Sequence, residues 1–193
     1  MNRAVFLDRD GVLLEDVHLL TRIDQISIPE TSYLGVRMLG QSSFKRIVVT
    51  NQTVVSRGLA SLNDVETVNS RMNALYLEHT GIGFHRFYVC PHHPNADLPE
   101  FRSNCECRKP KPGMLLEAAT EFELSLTDSW VIGDRISDIV AGHRAGCRTI
   151  LLETGKHNES PIESDGYVER VTPDFIRPNL LQAVSVILEE AQS

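Results

Sequence analysis

The sequence predicts an α/β fold, a mainly parallel β-sheet covered by helices on both faces. Three observations predict it. Short, nearly unbroken apolar runs recur along the chain, the pattern of strands buried on both faces. Stretches of helical periodicity lie between them, and strands alternating with helices imply parallel pairing through crossovers. Finally, three of the runs end in polar or charged clusters, Asp8/Asp10, Thr50/Asn51 and Asp134/Asp138. In an open parallel sheet the carboxyl ends of the strands share one edge, where ligands bind, so these clusters are expected to meet there.

The first strand runs from Arg3 to Leu7 and stops at Asp8-Arg9-Asp10-Gly11. If extended geometry persisted, Asp8 and Asp10 would lean to one side and Arg9 to the other. Residues 12–30 have poor periodicity and read as a loop with a small hairpin, closed by Pro29. A helix is expected over 31–42, with Leu34 and Met38 on one face and Gly40 near its end. Ile47 to Val49 is a second strand, ending at Thr50-Asn51-Gln52-Thr53. Ser61 suits an N-cap with Asp64 three residues on, and Leu62, Val65, Val68, Met72 and Leu75 keep to one helical face until Gly81. Phe87 to Val89 is a third strand, entering a loop rich in Cys, His and Pro. Pro112 suits the first turn of the next helix, followed by a fourth strand at Trp130 to Ile132 that ends in Gly133-Asp134-Arg135. A short helix to about Ala145 and a fifth strand at Thr149 to Leu152 follow. Tyr167-Val168 reads as a last edge strand and Pro178 to Ala191 as a final amphipathic helix.

Composition bounds the functional classes. A chain of 193 residues is long enough to bury a core without disulfides and is expected to form one domain, residues 1–193. Apolar residues make up 41% and charged ones 23%, an ordinary globular balance. A net charge of −7 disfavours nucleic acid or an anionic membrane as partner. No transmembrane run exists, and the apolar run after Met1-Asn2-Arg3 is too short for a signal-peptide core, so a soluble cytoplasmic protein is expected. In that compartment the four cysteines read as thiols or metal ligands.

The residues brought to the sheet edge are suited to phosphoryl transfer. Carboxylates suit Mg²⁺, which takes one or two of them plus phosphate oxygen, and Arg108 and Lys109 suit the anionic group that remains. A carboxylate can attack phosphorus to form an aspartyl-phosphate, splitting hydrolysis into two steps. A second carboxylic acid can protonate the leaving alkoxide and then deprotonate the attacking water.

A second constellation lies in the loop 90–108. Cys90-Pro-His92, then twelve residues, then Cys105-Glu-Cys107 supplies three thiolates and one imidazole, a closed tetrahedral set for structural Zn²⁺. His93 is an alternative to His92 as the fourth ligand. Cys147 lies far from the set and reads as a small buried hydrophobe.

Asp8-Arg-Asp-Gly, Val49-Thr50-Asn51-Gln52, Cys107-Arg108-Lys109-Pro and Gly133-Asp134-Arg135…Asp138 resemble, in order, the four motifs of the haloacid-dehalogenase-like phosphatases. The resemblance implies a Rossmann-like three-layer sandwich with a minimal cap that includes the zinc loop. It implies Asp8 as nucleophile and Asp10 as general acid/base, with Thr50 and Lys109 holding the phosphoryl group. It further implies a catalytic Mg²⁺ on Asp8, Asp134 and the Asp10 backbone carbonyl, with Asp138 orienting the metal site. The zinc segment, from Cys90-Pro-His-His-Pro through Glu100-Phe101-Arg102 to Cys107-Arg-Lys-Pro-x-Pro-Gly-Met114, resembles the D-glycero-D-manno-heptose 1,7-bisphosphate 7-phosphatases. That resemblance implies removal of the 7-phosphate from a heptose bisphosphate, leaving the 1-phosphate for nucleotide-activated heptose and lipopolysaccharide synthesis. It implies Asp16, Asn51, Gln52, Thr53, Arg57, Arg108 and Arg135 as substrate-binding residues. With no long insertion between the motifs, short loops and the zinc segment are expected to cover the site, and an open crevice of that kind suits a monomer.

Two departures touch substrate identity. His18-Leu19-Leu20 stands where those enzymes typically carry Gly-Tyr-Val, and Thr53-Val54-Val-Ser where they carry Ser-Gly-Ile-Ala. Val54 in place of glycine adds bulk close to the expected substrate position. The competing readings are a histidinol-phosphate or other small phosphomonoester phosphatase, and, in a different class, a zinc-stapled binding module without catalysis.

Overall fold

In the computed structural model, which describes residues 1–155 and 171–192, six strands form one sheet in the order β3-β2-β1-β4-β5-β6. They are β1 (Ala4–Leu7), β2 (Lys45–Asn51), β3 (Arg86–Cys90), β4 (Trp130–Gly133), β5 (Arg148–Leu152) and β6 (Phe175–Arg177), and every neighbouring pair is parallel. All four residues of β1 and of β4 are buried, as their unbroken apolar runs require. The chain reverses direction across the sheet between β1 and β4, the place where doubly wound sheets open a ligand crevice.

Helices α1 (Glu30–Leu39), α3 (Leu62–Thr80) and α6 (Leu180–Glu190) cover one face through Val36, Leu39, Met72, Tyr76, Val184 and Ile187. Helices α4 (Gly113–Phe122) and α5 (Ile136–Ala145) cover the other, with Met114, Leu115, Ala118 and Ala141 against Phe6, Ile47, Val49 and Val131. The result is three layers. Helix α3 starts as its sequence dictates: Ser61 Oγ accepts from the Asp64 N–H at 3.1 Å, and Asp64 Oδ2 accepts from the Ser61 N–H at 2.8 Å. It stops at Gly81, whose φ of 72° lies in the left-handed region.

Several boundaries differ from the sequence expectations. Strand β2 extends through Lys45 and Arg46 on one side and Asn51 on the other, because its register with β1 and β3 continues past the apolar run. A one-turn helix α2 (Thr53–Ser56) follows it directly. No hairpin forms in the first loop; residues 23–25 make a single 3₁₀ turn, and the loop is tied at its base by the Glu15 N–H donating to the Ser27 carbonyl. The expected strand at Tyr167-Val168 lies outside the described residues, and the sixth strand found is Phe175–Arg177. The last helix begins at Leu180, after Pro178, with Asn179 Oδ1 accepting from the Gln182 N–H at 3.1 Å.

Candidate active site

The site forms where β1, β2 and β4 end. After Leu7 the chain leaves extended geometry: the Arg9 carbonyl accepts from the Leu13 and Leu14 N–H groups, and Gly11 sits at φ 81°. A Cβ on Gly11 would come within 2.3 Å of the Asp134 carboxylate, so the turn needs glycine both for its conformation and for this close approach. Gly133, one strand over, is needed for close approach alone, since a Cβ there would lie 2.2 Å from Asp138.

Asp8 and Lys109 are the centre of the cluster. Lys109 Nζ lies 2.9 Å from Asp8 Oδ1 and 2.5 Å from Asp138 Oδ1, and donates to the Val49 carbonyl at 2.8 Å. All three side chains are buried. Burial alone would depress the Lys109 pKa, but Asp138 and Asp8 outweigh it and hold the ammonium above its ordinary value. Burial raises the Asp8 pKa, opposed by Lys109. Asn51 sets the lysine's backbone: its amide donates to the Lys109 carbonyl at 3.0 Å, and its Oδ1 accepts from the Lys109 N–H at 3.1 Å. Asp138 Oδ2 accepts from the Arg135 N–H at the start of α5, which fixes the carboxylate that faces Lys109.

Gln52 links the other two acceptors. Its Nε2 donates to Asp10 Oδ2 at 2.8 Å and to Thr50 Oγ1 at 2.9 Å. Because the Thr50 oxygen accepts from Gln52, its own hydrogen is left to donate into the cleft it lines. Arg9 does not project to the opposite side from its neighbours. It folds back, and its Nη2 pairs with Asp10 Oδ2 at 2.9 Å.

Asp134 decides whether a cation belongs here. It is fully buried, and neither carboxylate oxygen has a hydrogen-bond partner. Burial, reinforced by Asp8 and Asp138, pushes its pKa up to about 8. Carboxylate oxygens of Asp8, Asp134 and Asp138 all lie within 4.8 Å of one another. A hard divalent cation supplies the charge this acidic pocket lacks, and oxygen ligands are what Mg²⁺ takes, so the residues fit Mg²⁺.

A cleft of about 240 Å³ opens above these groups. Its walls bring together the remaining expected residues: Asp16, Thr53 and the cations Arg57, Arg108 and Arg135. Arg108 Nη1 donates to the His92 carbonyl at 3.0 Å, tying the cleft wall to the cysteine-rich loop. Arg135 Nη2 lies 3.4 Å from Asp16 Oδ2, and Asp16 Oδ1 accepts from the His18 N–H at 2.9 Å. His18 and Leu19, both at the cleft, hold positive φ values of 52° and 60°. Val54 lines the cleft too, yet its bulk is taken up by a small cluster with Val55 and Val65, against which Leu19 and Phe101 pack. Arg9 and Ser137 carry no local pattern that marks them as site residues, and His93, expected only as an alternative zinc ligand, joins Ser137 in the cleft wall through folding.

The loop between β3 and α4 gathers Cys90, His92, Cys105 and Cys107. Cys107 Sγ is 3.1 Å from both Cys90 Sγ and Cys105 Sγ, and 3.5 Å from His92 Nδ1. His92, not His93, joins this set; the His93 Nδ1 accepts instead from the Asn95 N–H at 3.0 Å. The contact with Cys90, with those to Cys105 and His92, draws the Cys107 thiol pKa down to about 5. Three soft sulfur donors and one imidazole converging on a point fit Zn²⁺ with no position left open.

Comparison with known proteins places this arrangement. Residues 106–183 match the family model described as HAD-hydrolase-like. The chain is 33% identical to a D-glycero-D-manno-heptose-1,7-bisphosphate 7-phosphatase of Chlorobaculum tepidum, over 95% of this chain and 92% of that one. It is 36% identical to the D-glycero-beta-D-manno-heptose-1,7-bisphosphate 7-phosphatase of Escherichia coli K12, over 79% and 80%. Among solved structures, it superposes with a TM-score of 0.82 on the D,D-heptose 1,7-bisphosphate phosphatase of B. bronchiseptica complexed with magnesium and phosphate. That protein is 25% identical, with 97% of this chain and 99% of that one covered.

Proposed function

This chain belongs to the haloacid-dehalogenase-like phosphatases, and we propose that within that family it removes the 7-phosphate of D-glycero-D-manno-heptose 1,7-bisphosphate. As a phosphatase it hydrolyses a phosphate ester. The observation that carries the assignment of roles is the meeting of Asp8, Lys109 and the unpartnered Asp134 at the ends of β1 and β4, beneath a cleft walled by three arginines.

In this reading Asp8 attacks phosphorus, and the bond to the sugar oxygen breaks as Asp10 gives that oxygen its proton. Asp10 then takes a proton from water, whose oxygen attacks the aspartyl-phosphate, releasing inorganic phosphate and restoring Asp8. Thr50, its hydroxyl hydrogen free, and Lys109 hold the transferring group; Gln52 fixes the Thr50 hydroxyl, while Asn51 fixes the lysine backbone and the Val49 carbonyl with Asp138 fixes its ammonium. Asp8, Asp134 and the Asp10 backbone carbonyl would hold Mg²⁺, which would neutralise charge on the phosphoryl oxygens. Arg108, Arg57 and Arg135 suit the second phosphate and sugar hydroxyls, with Asp16 orienting Arg135.

The reading takes residues 1–193 as one phosphatase domain whose cover is the first loop and the zinc loop 90–108. It takes the enzyme as a cytoplasmic monomer acting on a small sugar phosphate. No helix among the described residues is long and apolar enough to cross a membrane. Steady-state kinetics on heptose 1,7-bisphosphate, fructose 1,6-bisphosphate and histidinol phosphate test the substrate. A kcat/KM advantage for the heptose ester is expected, and its absence removes the heptose assignment while leaving the phosphatase.

A further inference from the structure

Arg9 is among the largest fully buried side chains of the molecule, and it is a cation. Its Nε lies 3.2 Å from Asp10 Oδ1, and its Nη2 lies 3.1 Å from Oδ1 and 2.9 Å from Oδ2. The remaining arm, Nη1, donates to Asn69 Oδ1 at 3.1 Å, and Asn69 is itself buried, on α3. From the other side Gln52 Nε2 reaches Asp10 Oδ2 at 2.8 Å. The Asp10 carboxylate is therefore gripped by its own neighbour and by the end of β2, while the residue still borders the cleft.

We propose that Arg9, anchored by Asn69, is a positioning residue that aims Asp10 for its proton transfers. The inference rests on the reading of Asp10 as general acid/base. Burying a guanidinium is expensive, and a well-packed apolar side chain serves stability as well or better, so stability alone does not account for an arginine here. What a planar fork adds is orientation: two parallel contacts fix the plane of a carboxylate, and a lysine or a single hydrogen bond does not. Proton transfer to a leaving alkoxide needs the acid within hydrogen-bond reach at the moment of cleavage, so a carboxyl group free to swivel loses efficiency. Asn69 fixes the fork in turn, since without it the guanidinium can rotate about its own bond to Asp10. Helix α3 packs on α1 and over the sheet, which gives the anchor a rigid base.

Leaving-group dependence separates positioning from a merely structural role. A sugar alkoxide leaves only with a proton, whereas p-nitrophenolate leaves without one, and kcat/KM reports the steps through formation of the aspartyl-phosphate. Full-length protein with Mg²⁺ and Zn²⁺ is assayed on heptose bisphosphate and on p-nitrophenyl phosphate, for Asp10→Asn, Asn69→Ala and Arg9→Met. Asp10→Asn should lose about 100-fold more on the sugar ester than on the aryl ester, in line with the usual worth of a general acid. Asn69→Ala should show the same bias at about 10-fold, with a thermal melt close to the parent's. Arg9→Met removes a buried charge and is read only if it folds; Asn69→Ala keeps the ion pair and carries the test by itself. Equal losses of Asn69→Ala on both esters, beside a biased Asp10→Asn, overturn the positioning of Asp10. Equal losses for Asp10→Asn overturn the acid/base reading, and this inference with it.

Discussion

Replacing Asp134 by asparagine should stabilise the Mg²⁺-free protein while abolishing its response to Mg²⁺. The carboxylate is fully buried, neither oxygen has a donor, and its folded pKa of about 8 stands well above the ordinary 3.8. The folded pKa is raised, so between pH 4 and pH 8 the folded protein holds a proton that the unfolded chain has released. Stability of the metal-free protein therefore falls as pH rises through that window. At pH 7 the gap from 3.8 corresponds to a ceiling of about 4 kcal/mol, at 1.36 kcal/mol per unit. Water entering the polar cluster on relaxation lowers the cost to about 2 kcal/mol. Asparagine is neutral in both states and escapes that cost. For a chain of this length the gain amounts to about 4–8 °C in Tm. Differential scanning fluorimetry of both proteins after exchange into Mg²⁺-free buffer, without chelator so that zinc is kept, measures it. Saturating Mg²⁺ should then raise the parent Tm, by about 2.7 kcal/mol of stability at 100 times Kd, and leave the variant unmoved. A variant no more stable than the parent without Mg²⁺, or one that gains as much from Mg²⁺, would refute the account of Asp134 as a buried charge awaiting a cation.

Other perturbations follow the same geometry. Lys109→Met should leave Asp8 and Asp138 facing each other without a cation, costing about 3–5 kcal/mol in urea unfolding, with turnover lost. Gly11→Ala places a methyl group against the Asp134 carboxylate in a left-handed turn, and is expected to weaken activation by Mg²⁺ at least tenfold in a titration of rate against metal. Cys107→Ser should reduce bound zinc to well below one equivalent by atomic absorption and lower Tm, because the loop that carries Arg108 loses its pin. Ser61→Ala should cost about 1 kcal/mol through loss of the α3 cap, with kcat and KM unchanged, as the cap lies away from the cleft.

Much of the fold was legible because burial on both faces leaves a one-dimensional trace. Val5, Phe6 and Leu7 or Val131 and Ile132 can only be strands of a covered sheet, and the acids that follow them then have one place to go. Short elements leave a weaker trace. Phe175–Arg177 has an exposed isoleucine at its centre and is a strand because β5 offers it a register, a fact about its partner's backbone. Helix α2 is one turn, too short for any period to show. Of the left-handed residues His18 and Leu19, the first stands where the resembling enzymes carry glycine. The departure thus falls at a backbone position that favours glycine, which the residue types alone did not reveal.

The candidate site repeats the lesson at the scale of single side chains. Asp8, Thr50 and Asp134 were legible in position because each stands where a strand ends and position follows from topology; Lys109, in the connection between β3 and α4, was indicated by its motif. Arg9 was not, because alternation along a strand assigns it to the face opposite Asp8 and Asp10, and the chain abandons strand geometry one residue earlier. Once the Arg9 carbonyl is taken by Leu13 and Leu14, the side chain turns inward beneath α3, and its nearest anion is the carboxylate next to it in sequence. The two acids of the opening motif consequently live in different surroundings. Asp8 pairs with Lys109 beside the acidic pocket; Asp10 pairs with a guanidinium and an amide. In the proposed mechanism this division of partners lets a nucleophile and a proton carrier one residue apart each be oriented for its own task. Arg9, lying between them in the chain, supplies that division.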